Sequence, residues 1–495
     1  MSAPAVDEPT PEPVRELSLL EEAFPSAPVS PVDAPIAEPA RAELPEAQPD
    51  DTVTVVGLGK IGLPLAVQFA TAGFRVIGAD INPDVVDQVN NALEPFPGEA
   101  DLARRLGEVV ADRRLTATTD TAAAVARSST VVIVVPLVVD AEARPDFSIV
   151  DAATADVARS LQPGTLVSYE TTLPVGTTRT RLAPALAKAS RLRLGKDLFV
   201  VMSPERVYSG RIFADLARYP KLVGGLDDAS TQRGLAFYGR ALTFDDRDDL
   251  PMPNGVWEVG NSEAAELVKL AETTYRDVNI ALANTFAVYA DSLGIDFGLI
   301  ADAANSQPFS QLHRPGVHVG GHCIPVYPRL YLAGDPGARL VSVAREVNEE
   351  MPGHVVGLLA GRLAELGVRL DGARVVVLGA AYRGGVKEIF HSGVFPLVRR
   401  LGELGAIPLV HDPLYSDSEL RALGFEPYHY GDPCEAAIVQ ADHEEYADLR
   451  AAQLPGVRAI VDGRGVTHAI DWQDVDHTVL GRPSGAAAQR GGTES

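Results

Sequence analysis

Cys323 lies in the run Gly320-Gly321-His322-Cys323-Ile324-Pro325 and is one of two cysteines in 495 residues. A single thiol is most often a small core residue. In a glycine-rich loop of a chain that also carries a dinucleotide fingerprint, it points to an oxidation through a covalent sulfur adduct. The fingerprint is Gly57-Leu58-Gly59-Lys60-Ile61-Gly62, preceded by the β-branched run Thr52–Val56 and followed by a helical stretch through Ala72. Its glycines permit a tight turn and bring backbone N–H groups against a pyrophosphate at a helix N-terminus. Asp80 closes the next expected strand, where a carboxylate accepts hydrogen bonds from the adenosine ribose and favours NAD over NADP.

Other groups sit where chemistry is performed in such folds. The strand end Glu170–Thr178 carries a cluster of hydroxyls, Thr172 among them, that can hold a water or, the better expectation, cap the next helix. Ser203-Pro204-Glu205-Arg206 ends another strand. Glu205 there is either a general base or one half of a surface ion pair with an arginine. Lys269, Thr273 and Arg276 share a helical face. Beside a reactive thiol, Lys269 would stabilise a developing oxyanion and promote the thiolate. Asp245-Asp246-Arg247-Asp248-Asp249 reads as a solvated hairpin, Cys434 has no supporting context, and no metal-ligand spacing occurs.

Positioning these groups requires alternating strands and helices. Apolar runs at Phe74–Ala79, Val131–Val135, Leu166–Tyr169 and Leu198–Met202 continue the first strand. A helix free of glycine and proline spans Glu263–Leu293, followed by a Gly/Pro-rich loop over 307–328. Strand-then-glycine texture returns at Ala373–Gly379, with further strands at Ile407–Val410 and Ala459–Val461. The expected fold is α/β, two Rossmann-like doubly wound domains joined by a long central helix. The expected boundaries are an acidic Pro-rich tail over 1–50, an NAD-binding domain over 51–255, a central helical segment with the cysteine loop over 256–355, a second α/β domain over 356–480, and a tail over 481–495.

The net charge of −24 disfavours nonspecific nucleic-acid binding. Residues 1–50 hold 11 acids against two arginines, with 11 prolines, too polar to fold alone. Within them Leu17, Leu20 and Phe24 could share a helical face for a partner, although a solvated tail is the simpler reading. No apolar run is long enough to span a membrane, no secretory signal is visible, and two distant cysteines fit a reducing, cytoplasmic compartment.

In order along the chain, the motifs resemble the UDP-glucose/GDP-mannose dehydrogenase family. The resemblance covers about residues 52–470 and includes Val55–Pro64, the Glu170–Thr178 strand end, Ser203–Val207, Lys269 with Tyr275–Ala281, Pro315-Gly316 and Gly320–Pro325. It continues through Gly379–Gly384, Ala441-Asp442-His443 and Val461–Arg464. It implies a homodimer built on the central helices and a four-electron oxidation of a sugar C6 alcohol to a carboxylate with NAD. Cys323 would form a thiohemiacetal and then a thioester, Lys269 would stabilise the oxyanions, Glu205 would assist hydrolysis and Thr172 would hold the water. The resemblance gives NAD contacts at Gly57, Gly59, Lys60, Ile61, Gly62, Asp80, Pro136 and Thr172. It gives UDP-sugar contacts at Arg206, Val207, Lys269, Thr273, Arg276, Gly320, Tyr382 and Arg383.

Glu205-Arg206-Val207 and the Gly-Gly-His-Cys-Ile-Pro loop are similar to the N-acetylhexosamine branch, with UDP-N-acetylmannosamine as the first expectation and UDP-glucose as an alternative. Five positions depart from the family pattern: Thr273 stands for Asn, Tyr327 for Asp, Phe390 and Phe309 for arginines, and Leu137 for Thr. Thr273 and Tyr327 keep hydroxyls, but Tyr327 brings no charge. A two-electron enzyme or a nucleotide-sugar-binding protein without turnover are therefore the competing expectations.

Overall fold

Thr52–Val56 consists of five β-branched residues, all buried, the pattern of a central parallel strand covered on both faces. In the computed structural model it is β1 of an eight-stranded sheet. The others are β2 (Arg75–Ala79), β3 (Leu115–Thr118), β4 (Thr130–Ile133), β7 (Thr165–Tyr169), β8 (Leu198–Met202), β9 (Lys221–Gly225) and β10 (Val256–Glu258). A short antiparallel hairpin, β5 (Val138–Val139) and β6 (Pro145–Asp146), leaves the sheet after β4. The order is β10-β9-β8-β7-β4-β1-β2-β3, parallel throughout except where β9 runs against β8. The structure describes residues 51–482 apart from 141, 469–471 and 473. The expected tails, with the Leu17–Phe24 segment, lie outside the described residues, save for 481 and 482.

The second sheet holds β11 (Arg374–Leu378), β12 (Ile407–His411), β13 (Ala436–Val439), β14 (Ala459–Asp462) and β15 (Asp476–Val479), all parallel in the order β12-β11-β13-β14-β15. Both sheets belong to one compact unit. Each sheet has apolar clusters packed against it, as a doubly wound fold requires.

Between the sheets runs the long helix Ser262–Leu293, capped by the Asn261 side chain at Ala264 N and ended by Gly294 at φ 67°. It packs on a second helix, Arg339–Glu365, through a buried polar seam. Arg345 Nη1 donates to Asp277 Oδ1 at 2.7 Å, Asn348 Nδ2 donates to the same oxygen at 2.8 Å, and Asn284 Nδ2 donates to Asn348 Oδ1 at 2.9 Å. Asn284 Oδ1 in turn accepts from Gly316 N at 3.0 Å, which ties the seam to the loop leading to Cys323.

Four expectations need correction. The first sheet runs past residue 255, because Val256–Glu258 pairs with β9. The expected division at 355/356 falls inside the continuous helix Arg339–Glu365, whose residues Val355, Val356, Leu359 and Leu363 are in the core of the second sheet. The loop over 307–328 ends earlier than expected, since a helix spans Tyr327–Gly334 with Pro328 in its first turn, where a proline lacks no needed N–H. Asp245–Asp249 is an irregular loop and not a hairpin; Arg247 pairs there with Asp249.

Strand β9 was hidden by its own composition, Lys-Leu-Val-Gly-Gly. A Cβ at Gly224 would lie 2.1 Å from Asn261 O, so this glycine lets the start of the long helix press against the sheet.

Candidate active site

The fingerprint turn is built as its glycines require. Gly57 has φ +92°, and a Cβ on Gly62 would stand 1.8 Å from Gly57 O, so the helix Gly62–Thr71 could not begin there with any other residue. A Cβ on Gly59 would meet nothing within 4 Å. Its backbone faces a cleft of about 420 Å³ between the two sheets, lined also by Lys60, Tyr208, Tyr382, Arg383 and Glu388. This bare loop at a helix start is a cradle for a pyrophosphate, and the residues present fit NAD. Asp80 Oδ2 accepts from Leu58 N at 2.7 Å, so the carboxylate at the end of β2 also holds the loop in shape. Ile61 is half-buried and Pro136 exposed beyond the end of β4.

Cys323 is a free, exposed thiol. Its loop is pressed onto the second domain: a Cβ on Gly320 would lie 2.6 Å from Tyr382 Cβ, and Gly321 N donates to Phe390 O at 2.9 Å. Phe390, one of the departures, stacks flat on His322 with ring centroids 4.3 Å apart. Glu388 joins three segments by pairing with Lys60 of the fingerprint and His322 of the cysteine loop. His322, with Lys60, holds the Glu388 carboxyl down to about 2.

Three elements converge on the thiol. Tyr327 N donates to Cys323 O at 2.8 Å, and burial raises its phenol, with the Cys323 thiol and the Thr172 hydroxyl as polar neighbours. Lys269 Nζ, from the long helix, lies 5.9 Å from the Tyr327 ring centroid. Thr273 is buried, but its hydroxyl donates to Lys269 O at 3.1 Å and is consumed by its own helix. Arg276 is exposed one turn on, so the expected shared face of Lys269, Thr273 and Arg276 does not present three equivalent groups.

The other strand ends carry a buried ion network. Lys221 Nζ donates to Glu170 Oε2 at 2.6 Å and to Glu205 Oε2 at 2.8 Å. Tyr238 Oη donates to Glu170 Oε1 at 2.6 Å, and Glu205 Oε1 accepts from Arg206 N at 2.6 Å and Val207 N at 3.2 Å. Burial pushes the Glu170 carboxyl up to about 7, with Lys221 opposing. Burial also raises Glu205, but Lys221 outweighs it and leaves that carboxyl below its usual range. Glu205 is therefore not the surface partner of an arginine. Arg206 pairs instead with Glu272 at 2.5 Å, and the cation held between the carboxylates is Lys221. Sequence reading missed Lys221 because the strand carrying it was not recognised.

Glu266 was missed as well. From the first turns of the long helix it accepts from Gly176 N at 2.5 Å, Thr178 N at 2.8 Å and Thr178 Oγ1 at 2.7 Å, fixing the loop after Thr172. Burial raises its carboxyl to about 7. The hydroxyl cluster thus does not cap the following helix as expected: Thr178 binds Glu266, and Thr171 Oγ1 donates to Val135 O at 2.6 Å. Arg383 sits 4.9 Å from the Tyr208 ring centroid and 5.7 Å from that of Tyr382, at the cleft wall. Cys434 is 1% exposed, in the core of the second sheet. Among the described residues, no helix is long and apolar enough to cross a membrane.

A dinucleotide turn facing a second nucleotide-type domain across a thiol loop defines an NAD-dependent dehydrogenase. Three family descriptions match the chain in sequence: the NAD binding domain of the UDP-glucose/GDP-mannose dehydrogenase family over residues 51–242, its central domain over 263–350, and its UDP binding domain over 376–469. The chain belongs to this family and is a nucleotide sugar dehydrogenase. It is 32% identical over 429 residues to the UDP-N-acetyl-D-mannosamine dehydrogenase of Pyrococcus horikoshii, covering 84% of this chain and 95% of that one. It is 30% identical over 436 residues to the NDP-N-acetyl-D-galactosaminuronic acid dehydrogenase of Ralstonia solanacearum, covering 84% and 96%. A solved structure of the UDP-D-ManNAc dehydrogenase from Pyrococcus horikoshii superposes with a TM-score of 0.77 at 30% identity, over 87% of this chain and 99% of that one.

Proposed function

We propose that this chain oxidises the C6 alcohol of a UDP-N-acetylhexosamine to the carboxylate in four electrons, through a covalent adduct of Cys323, with UDP-N-acetylmannosamine the first substrate to test. The observation that carries the reading is an exposed thiol gathered with Thr172, Tyr327 and Lys269 at the edge of the nucleotide cleft. Relatives named for N-acetylhexosamine derivatives support the sugar class.

NAD would supply the hydride acceptor, one molecule for each of the two oxidations. Once the alcohol is an aldehyde, the Cys323 sulfur adds to C6 and the carbonyl oxygen becomes an oxyanion, which the Lys269 ammonium stabilises. The thiohemiacetal is oxidised to a thioester, and water then releases the acid and the thiol. Thr172 holds that water. Glu205, whose carboxylate is kept ionised by Lys221, acts on it from the adjoining strand end, with Glu170 as the proton store beside it. Gly57, Gly59, Lys60, Ile61, Gly62, Asp80 and Pro136 hold the dinucleotide. Arg206, Val207, Arg276, Gly320, Tyr382 and Arg383 serve the UDP-sugar side.

The test is a count of NADH per sugar consumed over a panel of UDP- and GDP-sugars, with product mass. Two NADH and the mass of a C6 acid are expected. One NADH with an aldehyde product would favour a two-electron enzyme, a reading motivated by the phenol, not a carboxylate, at position 327.

The same reading includes a homodimer. Leu282, Phe286, Tyr289 and Leu293 lie along one face of the long helix and are 41–63% exposed, and the loop residue Phe309 is 94% exposed. Burying such a stripe against a second copy is worth about 1 kcal/mol per helix side chain, since each is already about half-buried. Light scattering should give twice the chain mass, falling to the monomer value in Tyr289→Asp; a monomeric wild type would reject the dimer.

A further inference from the structure

We propose that Asp412 and His443 are positioning residues for the nucleotide-sugar wall: they grip the loop Ala380–Gly385 at both ends and so set Tyr382 and Arg383 against the cleft and the cysteine loop. The inference rests on the reading above that Tyr382 and Arg383 serve the UDP-sugar, and it deepens that reading.

The second domain repeats the turn of the first. Gly57 N donates to Ala79 O at 2.8 Å at the end of β2, and Gly379 N donates to His411 O at 2.7 Å at the end of β12. Both glycines have positive φ, 92° and 105°. A carboxylate follows each partner strand and accepts from the turn: Asp80 Oδ2 from Leu58 N at 2.7 Å, and Asp412 Oδ2 from Ala380 N at 2.8 Å and Ala381 N at 3.0 Å. The two carboxylates then diverge. Asp80 is half-buried, and its other oxygen accepts from Asn82 N at 2.9 Å. Asp412 is buried and takes two more donors, Leu414 N at 2.9 Å and His443 Nε2 at 3.1 Å. A carboxylate offers about four lone-pair sites, so Asp412 has no capacity left for ribose hydroxyls. Its bonds all run inward, to the loop and to the loop's support.

His443 fixes the other end. Its Nδ1 accepts from Gly385 N at 3.4 Å, which requires a lone pair there and leaves the ring proton on Nε2, the atom facing Asp412. One imidazole thus bridges the two ends of the loop, Ala380-Ala381 through Asp412 and Gly385 directly. The ring is buried and meets Tyr446 edge-to-face at 5.5 Å, so packing fixes its orientation as well. Asp442 Oδ1 accepts from Gly384 N at 3.0 Å, and a Cβ on Gly384 would stand 2.0 Å from Asp442 O, so the loop lies flat on this support.

The loop so held reaches the rest of the site through two side chains. Tyr382 covers the glycine pair before Cys323: a Cβ on Gly321 would lie 3.0 Å from its ring. Arg383 Nε donates to Tyr382 Oη at 3.1 Å, and the guanidinium lies over the ring of Tyr208, from the first domain, at 4.9 Å. Such a pose needs a fixed backbone; a loop that had to be ordered on binding would subtract that entropy from affinity.

The experiment is calorimetric titration of the full-length protein with UDP and, separately, with NAD. His443→Phe keeps a ring and removes both hydrogen bonds, while Asp412 retains its three backbone donors. The UDP Kd should rise about tenfold and the NAD Kd stay within about twofold of wild type. His443→Gln, whose amide can still donate to Asp412, should raise the UDP Kd about threefold and serves as a second variant if His443→Phe does not fold. An unchanged UDP Kd in a folded variant, or UDP and NAD weakened alike, overturns the proposal. Arg383→Met tests the underlying reading by itself and should weaken UDP about tenfold. A UDP Kd unmoved by Arg383→Met would overturn the placement of the nucleotide sugar on this wall, whatever the His443 variants do.

Discussion

Cys323→Ser should lose acid formation by about a thousandfold or more, with UDP-sugar and NAD binding little changed. Sulfur and oxygen differ by acidity: a serine alkoxide is inaccessible near neutral pH, whereas a thiolate is the ordinary nucleophilic form of cysteine. The binding surfaces are elsewhere, on the Gly57–Gly62 turn and at the Tyr382–Arg383 wall, and the Cys323 side chain supports no core cluster. The variant should therefore fold and bind. Stopped-flow NADH formation together with product mass checks it. An aldehyde with no more than one NADH is the expected residue of activity, and wild-type acid yield would rule out the sulfur adduct.

Lys221→Met should destabilise the protein by about 3–5 kcal/mol near pH 8, because two buried carboxylates would face one another without their cation. The pH dependence has a definite sign. Burial already raises Glu170 to about 7, above its unfolded value near 4.5. The folded state thus holds a proton that the unfolded state has released, and stability contributed at that site falls as pH rises from about 4.5 through 7. Loss of Lys221 raises the carboxyl pair further, so the defect should be largest at high pH and shrink towards pH 5. Glu170→Gln in the Lys221→Met background should recover much of the loss, since a neutral amide leaves Glu205 without a like charge. Urea unfolding of the three proteins at pH 5.5 and 8 measures it. A pH-independent loss, unaffected by Glu170→Gln, would mean that Lys221 acts by packing alone.

Much of this organisation can be traced to local chemistry. Five β-branched residues before a glycine turn leave little choice but a buried parallel strand, and β1 spans Thr52–Val56 as read. A 32-residue helix without glycine or proline, with Asn at one end and Gly at the other, declares its own limits. The ordered set of motifs was enough to place the chain in its family. Other features arise only from contacts between distant segments. Lys221 and Glu266 look like unremarkable charges in sequence; their importance comes from burial against Glu205, Glu170 and the Thr178 backbone, tens of residues away. Thr273 seemed able to serve the site until its hydroxyl turned to Lys269 O. Tyr327 read as a lost carboxylate, and its place beside Thr172 and Cys323 exists only because a strand end and a helix start meet there. Residue type sets which bonds a group can make, but desolvation and reach decide which of them it does make, and both are properties of the packed chain.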